Sequence, residues 1–142
     1  MNYKNIHIGK LIENAVSENH IELPRICNFL HCTEKEIEEM YGCSSLDAEI
    51  LLRWSKLLEY DFFRIYSQHL ILYAPALPKI KNTLHDGKKT KLPQFRKNIY
   101  TRELIDFILE KMEKGEMTKA EIIIRYKIPK TTLYKWISKY SR

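Results

Sequence analysis

The chain has 142 residues, with 24 Lys plus Arg against 18 Asp plus Glu, for a formal net charge of +6. That length suits one domain or two small helical modules of about 70 residues each. No apolar run reaches the roughly 20 residues of a membrane span. The opening Met1-Asn2-Tyr3-Lys4-Asn5 is not followed by the apolar stretch of a signal peptide. A hydrophobic fraction of 44%, with only 4 Gly and 5 Pro, excludes wholesale disorder and a fibrous chain. The charge is unevenly placed. Residues 1–75 hold 7 basic and 11 acidic side chains, a net of −4, whereas residues 76–142 hold 17 basic and 7 acidic, a net of +10. An acidic half joined to a basic half implies two tasks, the basic one directed at a polyanion.

Taken in chain order, Ile8, Leu11, Ile12, Ala15 and Val16 recur at helical spacing and predict a first helix over about 5–19. Pro24 suits the first turn of a second helix, where a missing N–H costs nothing, and Ile26, Phe29 and Leu30 are expected to face inward. Thr33 with Glu36 three residues on is a capping-box signature for a third helix through Ile37 and Met40, ending near Gly42. Ser45 or Asp47 starts a fourth, with Ile50, Leu51, Trp54, Leu57 and Leu58 on one face. A fifth runs from Asp61 towards Tyr73 and is stopped by Pro75 and Pro78. The three cysteines, Cys27, Cys32 and Cys43, form no disulfide framework. Cys27 and His31 are four apart, but with no C-x-x-C pair the expectation is no metal site and buried small side chains instead.

This half resembles the lambda-repressor-like domain. The residues that carry the resemblance are Ile8-Gly9-Lys10-Leu11-Ile12, then Ile26, Leu30, Thr33, Ile37 and Met40, then Ser45-Leu46-Asp47 and Leu51 to Leu58. The resemblance implies that the third helix enters a major groove. Yet that helix reads Glu34-Lys35-Glu36-Ile37-Glu38-Glu39, and four carboxylates with one lysine would be repelled by phosphates. The expectation is a domain of this fold, over residues 1–75, used for self-association or protein contact.

Residues 76–98 carry Lys79, Lys81, Lys88, Lys89, Lys91, Arg96 and Lys97 against Asp86, and Pro78, Gly87 and Pro93 interrupt any regular element. Two readings stand side by side. One is a solvated linker. The other is an arm that tracks phosphates or enters a minor groove, with Lys88, Lys89, Lys91, Arg96 and Lys97 touching DNA.

Residues 99–142 carry the sharpest pattern. Thr101 caps a helix with Leu104, Ile105, Ile108, Leu109 and Met112 as its apolar stripe, ending at Gly115 after Lys111 and Lys114. Thr118 and Glu121 form a second capping-box signature, for a helix with Ile122, Ile123 and Tyr126 along one side. After Lys127-Ile128-Pro129 a last helix runs Lys130 to Tyr140, with Leu133, Trp136, Ile137 and Tyr140 on one face. Lys130, Thr131, Thr132, Lys135 and Lys139 lie outside that face, short hydroxyls and long cations suited to base edges and phosphates. Tyr134 points away from the core as well. A small core around Ile123, Ile128, Leu133 and Trp136 is expected. Lys127 stands where such turns often carry Gly, which speaks against a left-handed residue there.

Thr118 to Tyr140 resembles the helix-turn-helix of small insertion-sequence transposase proteins and of the pipsqueak type. The matching residues are Arg125-Tyr126, then Ile128 through Ile137, and Lys139-Tyr140. The resemblance implies binding to double-stranded DNA through Lys130, Thr131, Thr132, Tyr134, Lys135 and Lys139. The catalytic part of a transposase, three carboxylates on a mixed α/β domain, has no counterpart. No Gly-rich phosphate loop or nucleophile motif appears, and the histidines are scattered.

These readings converge on an all-α, two-module protein: a five-helix lambda-repressor-like module and a three-helix helix-turn-helix joined by a basic linker. It is expected to bind duplex DNA as a transposition factor or transcription regulator in the cytoplasm, at the nucleoid. It is expected to be no enzyme, with no cofactor, no metal, no small-molecule substrate and no membrane. A homodimer through residues 60–74 is expected from the apolar excess of Phe62-Phe63, Ile65-Tyr66 and Leu70 to Tyr73. The alternative is a protein-interaction adaptor whose basic half docks an acidic partner.

Overall fold

A computed structural model describes residues 2–75, 92–93 and 98–140. Among them the chain forms eight α-helices and no β-strand. They are α1 (Ile8–Glu18), α2 (Leu23–Leu30), α3 (Glu34–Gly42), α4 (Ala48–Leu57), α5 (Phe63–Tyr73), α6 (Arg102–Glu113), α7 (Lys119–Tyr126) and α8 (Lys130–Tyr140). None is long and apolar enough to cross a membrane.

The helix starts follow from local chemistry. Thr33 accepts from the Glu36 N–H while the Glu36 carboxylate accepts from the Thr33 N–H at 2.7 Å, and Thr118 with Glu121 repeats the arrangement. Asp47, not Ser45, caps α4 by accepting from the Glu49 N–H at 2.8 Å. Thr101 caps α6. Pro24 sits in the first turn of α2.

The chain divides into two compact units, Asn2–Tyr66 and Ser67–Arg142. In the first, Ile8, Ile12, Ile26, Ile37, Trp54 and Phe62 are almost wholly withdrawn from solvent. Phe29, expected inside, is exposed. The buried pair on α2 is Ile26 and Leu30, one turn apart, and Phe29 lies off that stripe, where its carbonyl accepts from Arg53 Nη2 at 2.8 Å. The start of α1 abuts the end of α3. The Ile8 and Gly9 N–H groups donate to the carbonyls of Ser44 and Cys43 at 3.1 and 3.0 Å. A Cβ on Gly9 would stand 2.7 Å from the Cys43 oxygen and closer still to those of Met40 and Tyr41. The helices meet backbone to backbone because residue 9 has no side chain.

The division falls inside α5, ahead of the boundary at 75 expected from the prolines. One side chain accounts for the second part of α5 belonging with the later helices. Gln68 is fully buried, its Nε2 donates to the Ile99 carbonyl at 2.7 Å, and its Oε1 accepts from the Thr101 N–H at 3.0 Å. Between those two residues, the Tyr100 ring packs edge-on against Trp136 of α8, with centroids 4.9 Å apart. In the second unit Leu104, Ile108, Ile122, Ile128 and Leu133 form the inaccessible core.

Two stability effects are expected. Gly9→Ala should destabilise the first unit, since overpacking costs about 1–3 kcal/mol and exceeds the roughly 1 kcal/mol that Ala normally gains over Gly inside a helix. Urea unfolding of the full chain reads it, and an unchanged midpoint would show that the two helix ends separate freely. Gln68→Ala removes two hydrogen bonds and should lower the stability of the second unit by about 1–3 kcal/mol. Amide hydrogen exchange should then quicken in α6 and α8 while α1 and α3 keep their protection.

Candidate nucleic-acid interface

The region is built on α7, a three-residue turn and α8. α7 buries Ile122 and Tyr126, one turn apart. Ile123, expected in the core, is only half-buried, because the 122/126 pair and not the 123 position faces α8. Lys127 ends α7 in the left-handed conformation, φ 53° and ψ 32°. This corrects the expectation drawn from its not being glycine. The reversal brings Ile128 into the core, with 1% of its surface exposed. Burying such a side chain is worth about 1.5–3 kcal/mol, more than the roughly 1–2 kcal/mol a left-handed L-residue costs.

The Thr132 and Leu133 N–H groups both donate to the Pro129 carbonyl, at 2.9 and 3.1 Å. Pro129 has no side-chain oxygen with which to cap α8. The Lys130 and Thr131 N–H groups therefore have no acceptor among the described residues. α8 turns Leu133 and Trp136 inward, while Lys130, Thr131, Tyr134, Lys135, Ser138 and Lys139 are exposed. Thr132 is half-buried and Tyr140 lies partly covered, with the Arg102 guanidinium 4.0 Å from its ring centroid. Lys88, Lys89, Lys91, Arg96 and Lys97 lie outside the described residues.

The cations of the second unit fall into two sets. On α6 and its C-terminal cap, Lys114, each is paired. Arg102 meets Asp106 at 2.9 Å, Lys111 meets Glu116 at 2.8 Å, and Lys114 meets Glu110. Each of the three is held above its ordinary pKa, chiefly by the hydrogen bond to its carboxylate. On α7, the turn and α8, by contrast, Lys119, Arg125, Lys127, Lys130, Lys135 and Lys139 have no carboxylate within ion-pairing distance among the described residues. Several stand over rings instead: Lys119 and Lys130 over Tyr134 at 5.4 and 5.6 Å, Arg125 over Tyr126, Lys139 over Tyr140. Glu121, the one acid between 119 and 140, is turned back onto its cap, and the Thr118 N–H and hydroxyl hold its carboxyl below the usual carboxylate range.

The same backbone plan occurs in the first unit with opposite charge. His31 ends α2 left-handed at φ 56° and ψ 47°, and α3 begins three residues later at Glu34. There the outward residues include Glu34, Glu36, Glu38 and Glu39, with Lys35 and Glu39 4.0 Å apart. Cys27 and Cys32 are half-buried and Cys43 is exposed. No group of three His, Cys, Asp or Glu side chains among the described residues is placed to hold a metal. In the apolar stretch 60–74, Phe62, Ile65, Ile71 and Leu72 are buried, while Tyr60, Phe63, Leu70 and Tyr73 are exposed.

Sequence reasoning missed Lys119, Gln68 and Tyr100. Lys119 was legible as a cation directly after a cap. Gln68 sits at a core position of the Ile65, Gln68, Leu72 stripe, where a polar residue demands partners. Nothing in the sequence pointed to Tyr100. No family model, curated protein or solved structure matches this chain.

Lys127→Gly should stabilise the second unit by about 1 kcal/mol, since glycine adopts the left-handed turn without the Cβ penalty. A lower melting temperature than the parent chain would mean that the lysine side chain itself holds the turn.

Proposed function

We propose that this protein binds double-stranded DNA through α7 and α8 acting as a helix-turn-helix, with α8 presented to the major groove. The observation that carries this reading is the contrast in charge pairing: the α6 cations are neutralised within the unit and those of α7 and α8 are not. Unpaired like charges on one surface repel one another, and duplex DNA offers the matching rows of phosphates together with counterion release. Thr131 and Lys135 stand on the exposed side of α8 and are of the right length and chemistry for base edges, with Thr132 at its margin and Lys130 at the helix start. Lys139, two turns on, suits a phosphate, and the open N–H groups at the start of α8 suit another. The acidic α3 makes the analogous element of the first unit a poor partner for phosphates. The likeness of residues 118–140 to insertion-sequence transposase helix-turn-helices points the same way, towards DNA recognition without nuclease chemistry. Pairing of two chains through residues 60–74, using exposed Tyr60, Phe63, Leu70 and Tyr73, would give the affinity that one short reading helix lacks.

The test is anisotropy titration of the full chain on a selected duplex and on its scrambled version at two salt concentrations. Lys139→Ala should weaken binding to both duplexes alike and lower the salt slope by about one. Lys135→Ala or Thr131→Ala should cost about 1–3 kcal/mol on the selected site and relax preference at one or two positions. Absence of duplex binding at low salt, or an affinity indifferent to salt, would refute the reading.

A further inference from the structure

A further feature joins the starts of α7 and α8. Lys119, the first residue of α7, and Lys130, the first residue of α8, both bring their ammonium groups to Tyr134, at 5.4 and 5.6 Å from its ring centroid. Tyr134 is 46% exposed, so the group stands at the surface. Neither ammonium has a carboxylate partner among the described residues, and Glu121, two residues from Lys119, is committed to Thr118. The shared ring holds each ammonium only by the roughly 0.5–1 kcal/mol of an exposed cation–π contact. A phosphate, which forms charge-assisted hydrogen bonds, is a stronger partner for both than the ring is. The Lys130 and Thr131 N–H groups, open at the same helix start, add donors of the right kind.

We infer that Lys119 belongs to the interface and that, with Lys130 beside Tyr134, it grips a backbone phosphate of the bound duplex. This rests on the DNA-binding reading above. It extends that reading from one helix to two, so that α8 is fixed on the DNA by a phosphate anchored from the start of α7. Such a contact sets register and orientation and carries no sequence information.

The experiment uses the full chain and compares Lys119→Ala, Lys119→Arg, Lys130→Ala and, as a control for net charge, Lys114→Ala, on selected and scrambled duplexes across a salt series. Lys119→Ala should lower affinity about five- to tenfold near 0.1 M salt on both duplexes, reduce the salt slope by about one, and leave base preference intact. Lys119→Arg should restore most of the affinity, and Lys114→Ala should change little, because that lysine is already paired with Glu110. Circular dichroism melts of each variant separate loss of contact from loss of fold. If the parent chain binds and Lys130→Ala weakens binding while Lys119→Ala leaves affinity and slope unchanged, the inference fails and the DNA-binding reading stands. If the parent chain binds no duplex, both fall together.

Discussion

The second unit is organised around a buried amide. Gln68 is the one buried polar side chain among the described residues, and both halves of its amide are occupied, the nitrogen by the Ile99 carbonyl and the oxygen by the Thr101 N–H. A primary amide donates and accepts in one plane, so it can hold two backbone groups of the same short segment at once. The clamp holds the residues on either side of Tyr100, and Tyr100 meets Trp136 on the inner face of α8. Thr101, the second clamped residue, also caps α6. One side chain on α5 thus fixes where α6 begins and braces the helix that carries Lys130, Thr131 and Lys135. Leaving either half of the buried Gln68 amide unpaired costs more than the bond itself contributes in water, which makes the arrangement specific.

The chain uses one local plan twice and gives the two copies opposite surfaces. α2 with α3, and α7 with α8, each join through a left-handed residue, His31 and Lys127 respectively. The helix starts differ: a capping box opens the second helix of the first pair, α3, and the first helix of the second pair, α7. The shared left-handed turn does not distinguish the two pairs. The outward side chains decide: four glutamates on the early part of α3, against three lysines and no acid on α8. Charge on a shared scaffold separates the two by sign, and sign governs attraction to phosphate at distances of about a Debye length, roughly 8–10 Å.

Surface ion pairs such as Arg102 with Asp106 or Lys111 with Glu116 contribute little to stability, because water screens them. Their interest lies in where they stop. The cations of α6 and of the residue that caps its end are all paired with acids, and the pairing ends before Thr118, beyond which one acid faces a run of cations. Aromatic faces, Tyr134 above all, take the place of carboxylates there. A ring holds an ammonium weakly enough that a phosphate can replace it.

By itself the sequence determined the eight helices and most of their boundaries, because caps, prolines and apolar spacing are local rules: Thr33 with Glu36, Thr101 and Thr118 with Glu121 act within one turn of themselves, whereas the choice of Asp47 over Ser45 was left to the fold. It also determined the split of charge between the two halves, which needs no fold to be counted. Tertiary structure decided the rest. It chose Ile122 over Ile123 and placed Phe29 outside, since neighbouring positions on a helix differ by about 100° and only the packed partner selects between them. It forced Lys127 into a left-handed turn because burial of Ile128 outweighs the local penalty. It joined Gln68 to Ile99 and Thr101, and Lys119 to Tyr134, across stretches of chain that no periodicity links. Contacts between residues far apart in sequence arise from the packing of whole helices, and that packing is a property of the folded chain alone.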